Sequence, residues 1–98
     1  MFFKNRVIDE KYLSCNEDLI GKTALEILDV VIQDLTDAGF MVFLNNHTSK
    51  SQWCCSISDG DGMWWNSDYS EEDFFHCLCQ LAERYKHNEK VIGMDLRN

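Results

Sequence analysis

Between residues 22 and 38 the apolar positions repeat with the period of an α-helix. Five of them recur at spacings of four and three residues and therefore share one face: Ala24, Leu28, Val31, Leu35 and Ala38. Polar and acidic side chains occupy much of the rest. Gly39 follows at once, and glycine ends a helix well because it adopts a positive φ without a Cβ clash. The pattern predicts a helix over residues 22–38.

A second helical pattern follows Ser70, a good N-cap residue whose next three positions are acidic. Acids in a first turn interact favourably with the helix dipole. Its apolar stripe consists of Phe74, Cys77, Leu78, Leu81, Ala82 and Tyr85. We expect this helix to end near His87. Residues 14–17 also match the capping-box pattern, so a helix could begin there or after Gly21.

Three segments between these helices are typical of strands: residues 40–44, 52–58 and 63–66. Short polar or Asp-Gly turns separate them, which favours an antiparallel meander. Residues 91–96 add a fourth candidate strand. The predicted fold class is α+β: a three-stranded, or four-stranded, antiparallel sheet with two main helices in the order α-β-β-β-α. The helices could cover one face of the sheet or both.

The 98-residue length fits a single domain over residues 1–98. The longest apolar run, residues 40–44, is far shorter than a membrane span. The first residues lack the features of a secretion signal, so a cytoplasmic location is expected. The five cysteines are Cys15, Cys54, Cys55, Cys77 and Cys79. Their odd number and the adjacent pair favour reduced, mostly buried thiols.

Acidic residues dominate the charge, which is formally −8. No Lys or Arg occurs between Lys50 and Arg84, whereas seven acids do. A strongly acidic surface disfavours direct binding to nucleic acid or to an anionic membrane. The acidic stretch is either a solvated face that keeps the protein soluble or a surface complementary to a basic partner.

No motif for catalysis, metal or cofactor stands out. Cys77 and Cys79 would point about 200° apart on a helix, which disfavours a shared zinc ion. The run at residues 59–62 lacks the remaining ligands of an EF-hand, so a hairpin turn is the better interpretation. None of the three histidines accompanies a nucleophile motif, although a Cys–His pair could form in space. We expect no catalytic residues, no metal and no cofactor.

An aromatic cluster of Trp53, Trp64, Trp65 and Tyr69 surrounds the acidic stretch. On a strand Trp64 and Trp65 would point to opposite faces, so that one is exposed or covered by a helix. An exposed Trp ringed by carboxylates is typical of an interface hot spot, and burial of both rings is the alternative. The candidate partner-binding residues are Asp59, Asp61, Trp64, Trp65, Asp68, Tyr69, Glu71, Glu72 and Asp73.

The segments 53–57, 59–62 and 74–81 give the chain a resemblance to small helix–sheet–helix proteins of phages and prophages. Its size, acidity and lack of a catalytic motif also resemble those of anti-CRISPR proteins. That resemblance implies a non-enzymatic phage protein that binds a bacterial defence complex of the CRISPR-Cas type in the host cytoplasm.

The preferred hypothesis is therefore an acidic inhibitor that occupies the basic surface of a protein partner. The alternatives are an immunity or antitoxin-like protein, a small Cys/His enzyme or metal-binding protein, and a homodimer that buries its spare Trp against itself.

Overall fold

A computed structural model of the protein describes residues 6–49 and 56–96. Contacts divide these residues into two compact units. The N-terminal unit contains the described residues up to Phe40, and the C-terminal unit contains those from Met41 onward. Each unit has its own helix, and only the C-terminal unit has named strands among the described residues.

The N-terminal unit begins with an antiparallel bridge between Val7 and Thr23. The Ile8 amide donates to the Lys22 carbonyl at 3.0 Å, which brings the two ends of the intervening segment together. Two short 3-10 turns, Glu10–Tyr12 and Glu17–Leu19, occupy that segment. The capping-box pattern at residues 14–17 therefore precedes only a single turn rather than a full helix.

Helix α1 spans Ala24–Asp37, close to the predicted 22–38. Thr23 and Glu26 form a reciprocal capping box at its start. At its end the Gly39 amide donates to the Thr36 carbonyl and the Phe40 amide to the Leu35 carbonyl. These two bonds form a Schellman motif, in which Gly39 has the expected positive φ of 95°.

The C-terminal unit is a strand–helix–strand unit made of β1 (Val42–Leu44), α2 (Glu71–Tyr85) and β2 (Val91–Met94). The two strands pair in parallel, with Val42 opposite Val91 and Leu44 opposite Met94. A register shift lies between Val42 and Phe43. A helical crossover is what a parallel pair requires, because the chain must return to the starting end of the sheet.

Helix α2 begins as predicted, with Ser70 as N-cap in a capping box with Asp73. Phe74, Cys77 and Tyr85 from its predicted stripe are buried. Residues of α2 and β2 together line a pocket of about 270 Å³. Neither described helix is long and apolar enough to cross a bilayer.

The strand predictions fare less well than the helix predictions. Residues 42–44 and 91–94 are strands, but they pair in parallel because α2, rather than a tight turn, joins them. The expected strand at 63–66 is instead an irregular, bending segment. The expected strand at 52–58 falls mostly outside the described residues, and its described end, 56–58, runs into a turn. The three-stranded antiparallel layout and the single domain therefore stay predictions for the chain as a whole.

The described cysteines are free thiols, of which Cys77 is buried while Cys15 and Cys79 are exposed. The expectation of mostly buried thiols thus holds for Cys77, where desolvation raises the pKa of the thiol. Cys54 and Cys55 lie outside the described residues, as does Trp53 of the predicted aromatic cluster.

Candidate functional site

Polar residues follow both strands at the same end of the parallel pair. Asn45, Asn46 and His47 come directly after β1, and Asp95 comes directly after β2. We call these four residues the polar edge. In parallel sheets ligands bind at the carboxyl ends of the strands, where loops can differ without disturbing the sheet. The polar edge is therefore the candidate functional site of the C-terminal unit.

Asp95 holds the polar edge together. Its carboxylate accepts the backbone amide of Asn46 at 2.6 Å and also the side-chain amide of Asn45. Its own amide donates to the Leu44 carbonyl at 3.0 Å, which continues the parallel ladder by one bond. The Asn46 side chain, nearly buried, donates to the Leu96 carbonyl at 3.2 Å. The residues after the two strands are thereby tied to each other.

His47 is joined to this network through Asn45. The Asn45 amide nitrogen donates to Asp95, so its amide oxygen faces Nδ1 of His47 at 3.1 Å. Because an amide oxygen can only accept, this geometry requires a proton on Nδ1. Asn45 and His47 are exposed, whereas Asp95 is half-buried. The exposed pair can therefore contact a ligand, while Asp95 positions it.

Asp61 organises the loop between β1 and α2. It is only 6% exposed, and its carboxylate accepts the Ser49 amide at 2.9 Å and the Asn66 side-chain amide at 3.2 Å. The oxygen of the Asn66 side chain in turn accepts the amides of Asp68 and Tyr69. A buried carboxylate is stable only when such donors satisfy it. Asp61 thus links the residues just beyond the polar edge to residues 66–69.

The two described tryptophans contact each other in this loop. Their ring centroids are 4.8 Å apart and the planes are nearly perpendicular, at 85°. Trp64 is half-buried and donates from Nε1 to the Glu71 carboxylate at 2.9 Å. Trp65 is the more exposed ring, at 42%. The expected separation onto opposite faces of a strand does not occur, because residues 63–66 do not form a strand.

Several candidate partner-binding acids are engaged within the loop and helix. Asp59 accepts the amides of Ser56 and Asp61, and Asp73 accepts that of Ser70. Asp61 is buried, and Glu71 binds Trp64. Glu72 is exposed in the first turn of α2. Contact between this set, including Asp68 and Tyr69, and a protein partner stays a prediction.

The sequence interpretation overlooked the polar edge. It assigned the residues between the predicted strands at 40–44 and 52–58 to a short polar turn and gave none of the three histidines a role. The available signal was a polar run directly after each of two apolar segments, 40–44 and 91–94. That signal becomes a site only when the two segments are known to be parallel neighbours.

The polar edge offers amide, imidazole and carboxylate groups suited to hydrogen bonds with a polar, hydroxyl-rich ligand. Across residues 6–49 and 56–96, no group of three His, Cys, Asp or Glu side chains is arranged to hold a metal ion. The amide, imidazole and carboxylate groups of the polar edge support recognition of a ligand through hydrogen bonds.

Comparison with known proteins identifies the family. The sequence model of the cellulase family, glycosyl hydrolase family 5, matches residues 3–98. The chain belongs to glycosyl hydrolase family 5. This family 5 chain is 39% identical over 85 residues to the major extracellular endoglucanase of Xanthomonas campestris pv. campestris, covering 87% of the chain and 16% of that protein. It is 35% identical over 83 residues to a glycosyl hydrolase 5 family protein of Chamaecyparis obtusa, covering 85% of the chain and 15% of that protein.

A solved structure matches this family 5 chain as well. The endocellulase of Pyrococcus horikoshii, in a Y299F–cellotetraose complex, superposes with a TM-score of 0.69 and 35% sequence identity. The match covers 88% of this chain and 21% of the endocellulase chain. The chain thus spans about a fifth or less of the length of the relatives it matches.

Membership of family 5 overturns the functional hypotheses drawn from the sequence. Three predictions were wrong, since the matched relatives are endoglucanases. They are the inhibition of a CRISPR-Cas-type complex, the phage or anti-CRISPR resemblance and the non-enzymatic assignment. The immunity or antitoxin, metal-protein and small Cys/His enzyme alternatives fail on the same finding. The resemblance had relied on size, acidity and element order, which many unrelated small proteins share.

Proposed function

We propose that this chain is part of an enzyme that hydrolyses β-glucan chains such as cellulose, and that the polar edge binds the sugar. The observation that carries the proposal is the position of Asn45, His47 and Asp95 at the carboxyl ends of two parallel strands in a chain of family 5. In parallel barrels of alternating strands and helices, this end of the sheet carries the active site.

The relatives support the class of substrate. The matched proteins of Xanthomonas campestris and Paenibacillus polymyxa are named endoglucanases, and the Pyrococcus horikoshii structure was obtained with cellotetraose. A β-1,4-glucan presents rows of hydroxyl groups that act as both donors and acceptors. The exposed amide of Asn45 and the imidazole of His47 can complement such hydroxyls.

Within this function we assign the described polar residues to binding and positioning. Glycoside hydrolysis requires two carboxyl groups that flank the scissile bond. Asp61 and Asp95 each accept backbone amides and thereby hold loops in place. Asp95 keeps Asn45 oriented, and Asn45 in turn fixes the ring of His47. This network prepares His47 to meet a sugar hydroxyl without further ordering of its side chain.

The test is hydrolysis of carboxymethylcellulose by the full-length gene product, followed by the release of reducing ends. His47→Ala should lower kcat/KM about tenfold, equivalent to ~1.4 kcal/mol of transition-state stabilisation. His87→Ala is the matched control, because His87 is an exposed histidine of the same unit after α2. A wild-type protein without activity on any β-1,4-glucan, or equal activity of the two variants and wild type, would contradict the proposal.

The acidic charge still motivates proposals that none of these findings addresses. They are a protein partner with a basic surface and no direct contact with nucleic acid or membrane. The cytoplasmic location and a homodimer that buries its spare Trp against itself stay proposals as well. Size-exclusion chromatography with light scattering tests the homodimer, and fractionation of the source cells tests the location.

A further inference from the structure

The side chain of Asp95 is held in place by the backbone that follows both strands. The Asp95 amide donates to the Leu44 carbonyl, which ties this residue to the end of β1. One carboxylate oxygen accepts the backbone amide of Asn46 at 2.6 Å, and the other accepts the side-chain amide of Asn45. Both oxygens therefore have donors, and the donor from the Asn46 backbone cannot be exchanged for an acceptor.

This arrangement decides which way the side-chain amide of Asn45 points. If the amide were turned over, its oxygen would face the Asp95 carboxylate, and two acceptors without a proton between them repel each other. In the observed orientation the Asn45 nitrogen makes a charge-assisted hydrogen bond, which is stronger than a bond between neutral groups. The Asn45 oxygen is thereby directed at Nδ1 of His47, 3.1 Å away.

The orientation of Asn45 in turn decides where the neutral imidazole ring of His47 carries its proton. A neutral ring has one N–H donor and one acceptor nitrogen, and the hydrogen bond at one nitrogen sets the role of the other. Because the Asn45 oxygen can only accept, the proton lies on Nδ1 and Nε2 is the acceptor. His47 is exposed, so a ligand hydroxyl at the polar edge can donate to this nitrogen.

We propose that Asp95 and Asn45 are positioning residues that hold His47 in its Nδ1–H form, so that Nε2 accepts a hydrogen bond from a sugar hydroxyl. A ring in the opposite form presents an N–H at that position and can only donate. The sugar hydroxyl would then have to direct its own proton to another acceptor. This inference rests on the proposed function, because it states how His47 recognises the same substrate.

Asp95→Asn is the sharpest test, because it should reverse this series of hydrogen bonds without removing one. The new side-chain amide must keep its oxygen for the Asn46 backbone amide, so its nitrogen faces Asn45. Asn45 then turns over and directs its own nitrogen at His47, which requires the proton on Nε2. A substitution that merely loosened the loop would not exchange the two ring forms.

Long-range proton–nitrogen NMR correlation of the histidine rings in the full-length gene product measures the ring form, at about pH 8, where an ordinary histidine is neutral. The spectrum distinguishes the two forms, and His47→Ala identifies the signals. Wild type should carry the proton on Nδ1, Asp95→Asn should carry it on Nε2, and Asn45→Ala should show a mixture. Glu89→Gln, the matched change at an exposed acid of the same unit, is the control and should resemble wild type.

Calorimetric titration of cellotetraose into the same proteins measures the consequence for sugar binding. Asp95→Asn and Asn45→Ala should each weaken binding about tenfold, because the hydroxyl loses an acceptor that is held in place. Glu89→Gln should bind like wild type.

The outcomes separate this inference from the proposed function. If wild type neither binds cellotetraose nor hydrolyses β-glucan, the proposed function fails and the sugar contact of His47 fails with it. If wild type does both, a proton on Nε2 in wild type, an unchanged ring form in folded Asp95→Asn, or undiminished binding by that variant overturns this inference alone. Asn45→Ala decides the question if Asp95→Asn does not fold, and an unchanged ring form or affinity in that variant overturns the inference.

Discussion

Asp95, the first residue after β2, accepts the backbone amide of Asn46, which lies two residues beyond β1, at 2.6 Å. The two residues are 49 positions apart in sequence. This bond extends the contact between the strands past their carboxyl ends. It therefore fixes where the β1 loop begins and how Asn45 and His47 are presented.

Removing the Asp95 carboxylate should loosen this end of the sheet. Asp95→Ala leaves the nearly buried Asn46 amide without its acceptor, which should lower the free energy of unfolding by about 1–3 kcal/mol. Urea unfolding of the purified protein measures the change. Glu89→Ala removes an exposed acid of the same unit and should cost at most about 0.5 kcal/mol. Equal costs for the two variants would show that the bond does not hold the loop.

Asp61 should matter more to stability than any exposed acid of its loop. Asp61→Asn keeps one acceptor oxygen but cannot satisfy both the Ser49 amide and the Asn66 side-chain amide equally well. We expect a loss of about 1–3 kcal/mol, because the site is buried and Ser49 would lose a charged acceptor. Thermal unfolding followed by circular dichroism provides the measurement.

The control for that experiment is Glu72→Gln, which changes an exposed acid in the first turn of α2. Its expected cost is no more than about 1 kcal/mol, the range of an interaction with the helix dipole. An Asp61→Asn protein as stable as Glu72→Gln would rule out a structural role for the buried carboxylate.

The α2 capping box should make stability depend on pH in the acidic range. Two hydrogen bonds to the carboxylate lower the pKa of Asp73 below its ordinary value of 3.8. The bond from the Ser70 amide has the larger effect, and the bond from the Ser70 hydroxyl has the smaller one. Since the folded pKa is lowered, this stabilisation is present above the unfolded pKa and is lost as pH falls through the folded pKa. Asp73→Asn should therefore show a smaller decrease in Tm below about pH 4 than wild type does.

Glu26 provides the matched measurement on the other helix. Hydrogen bonds with Thr23 lower the pKa of Glu26 in the same way, and the bond from the Thr23 backbone has a larger effect than the bond with its side chain. Glu26→Gln should reduce the acid dependence of Tm with the same sign, and the double variant should reduce it further. Parallel Tm curves for Asp73→Asn and wild type between pH 6 and 2 would contradict the prediction.

Gly93 and Phe43 face each other across the parallel pair. A Cβ at Gly93 would lie 3.0 Å from Cε2 of Phe43 and 3.4 Å from Cδ2, so Gly93→Ala forces the ring aside. Because Phe43 is exposed, the ring can move at a cost of roughly 0.5–1.5 kcal/mol, that of an unfavourable rotamer. A double-mutant cycle with Phe43→Ala should recover most of this cost. Additive effects of the two substitutions would show that the contact is unimportant.

Both helices could be predicted from the sequence because the interactions that define them are local. The stripe of α1, the glycine that ends it and the Ser70 cap of α2 each involve residues within one or two turns. The alternative helix start at residue 14, where no α-helix forms, shows the limit of such signals. A capping pattern without an apolar stripe behind it gives no face to pack, and the chain forms a single 3-10 turn there.

The amino-acid sequence by itself determined where the helices lie and which segments are apolar enough to become β1 and β2. Only the tertiary structure decided that these strands are parallel neighbours, that Asp95 meets Asn46, and that Trp65 rather than Trp64 is the exposed ring. The physical reason is distance along the chain. Apolar periodicity and helix caps depend on residues a few positions apart. Strand pairing and the hydrogen bonds that hold the loops join residues far apart in the chain, and no local pattern encodes their proximity.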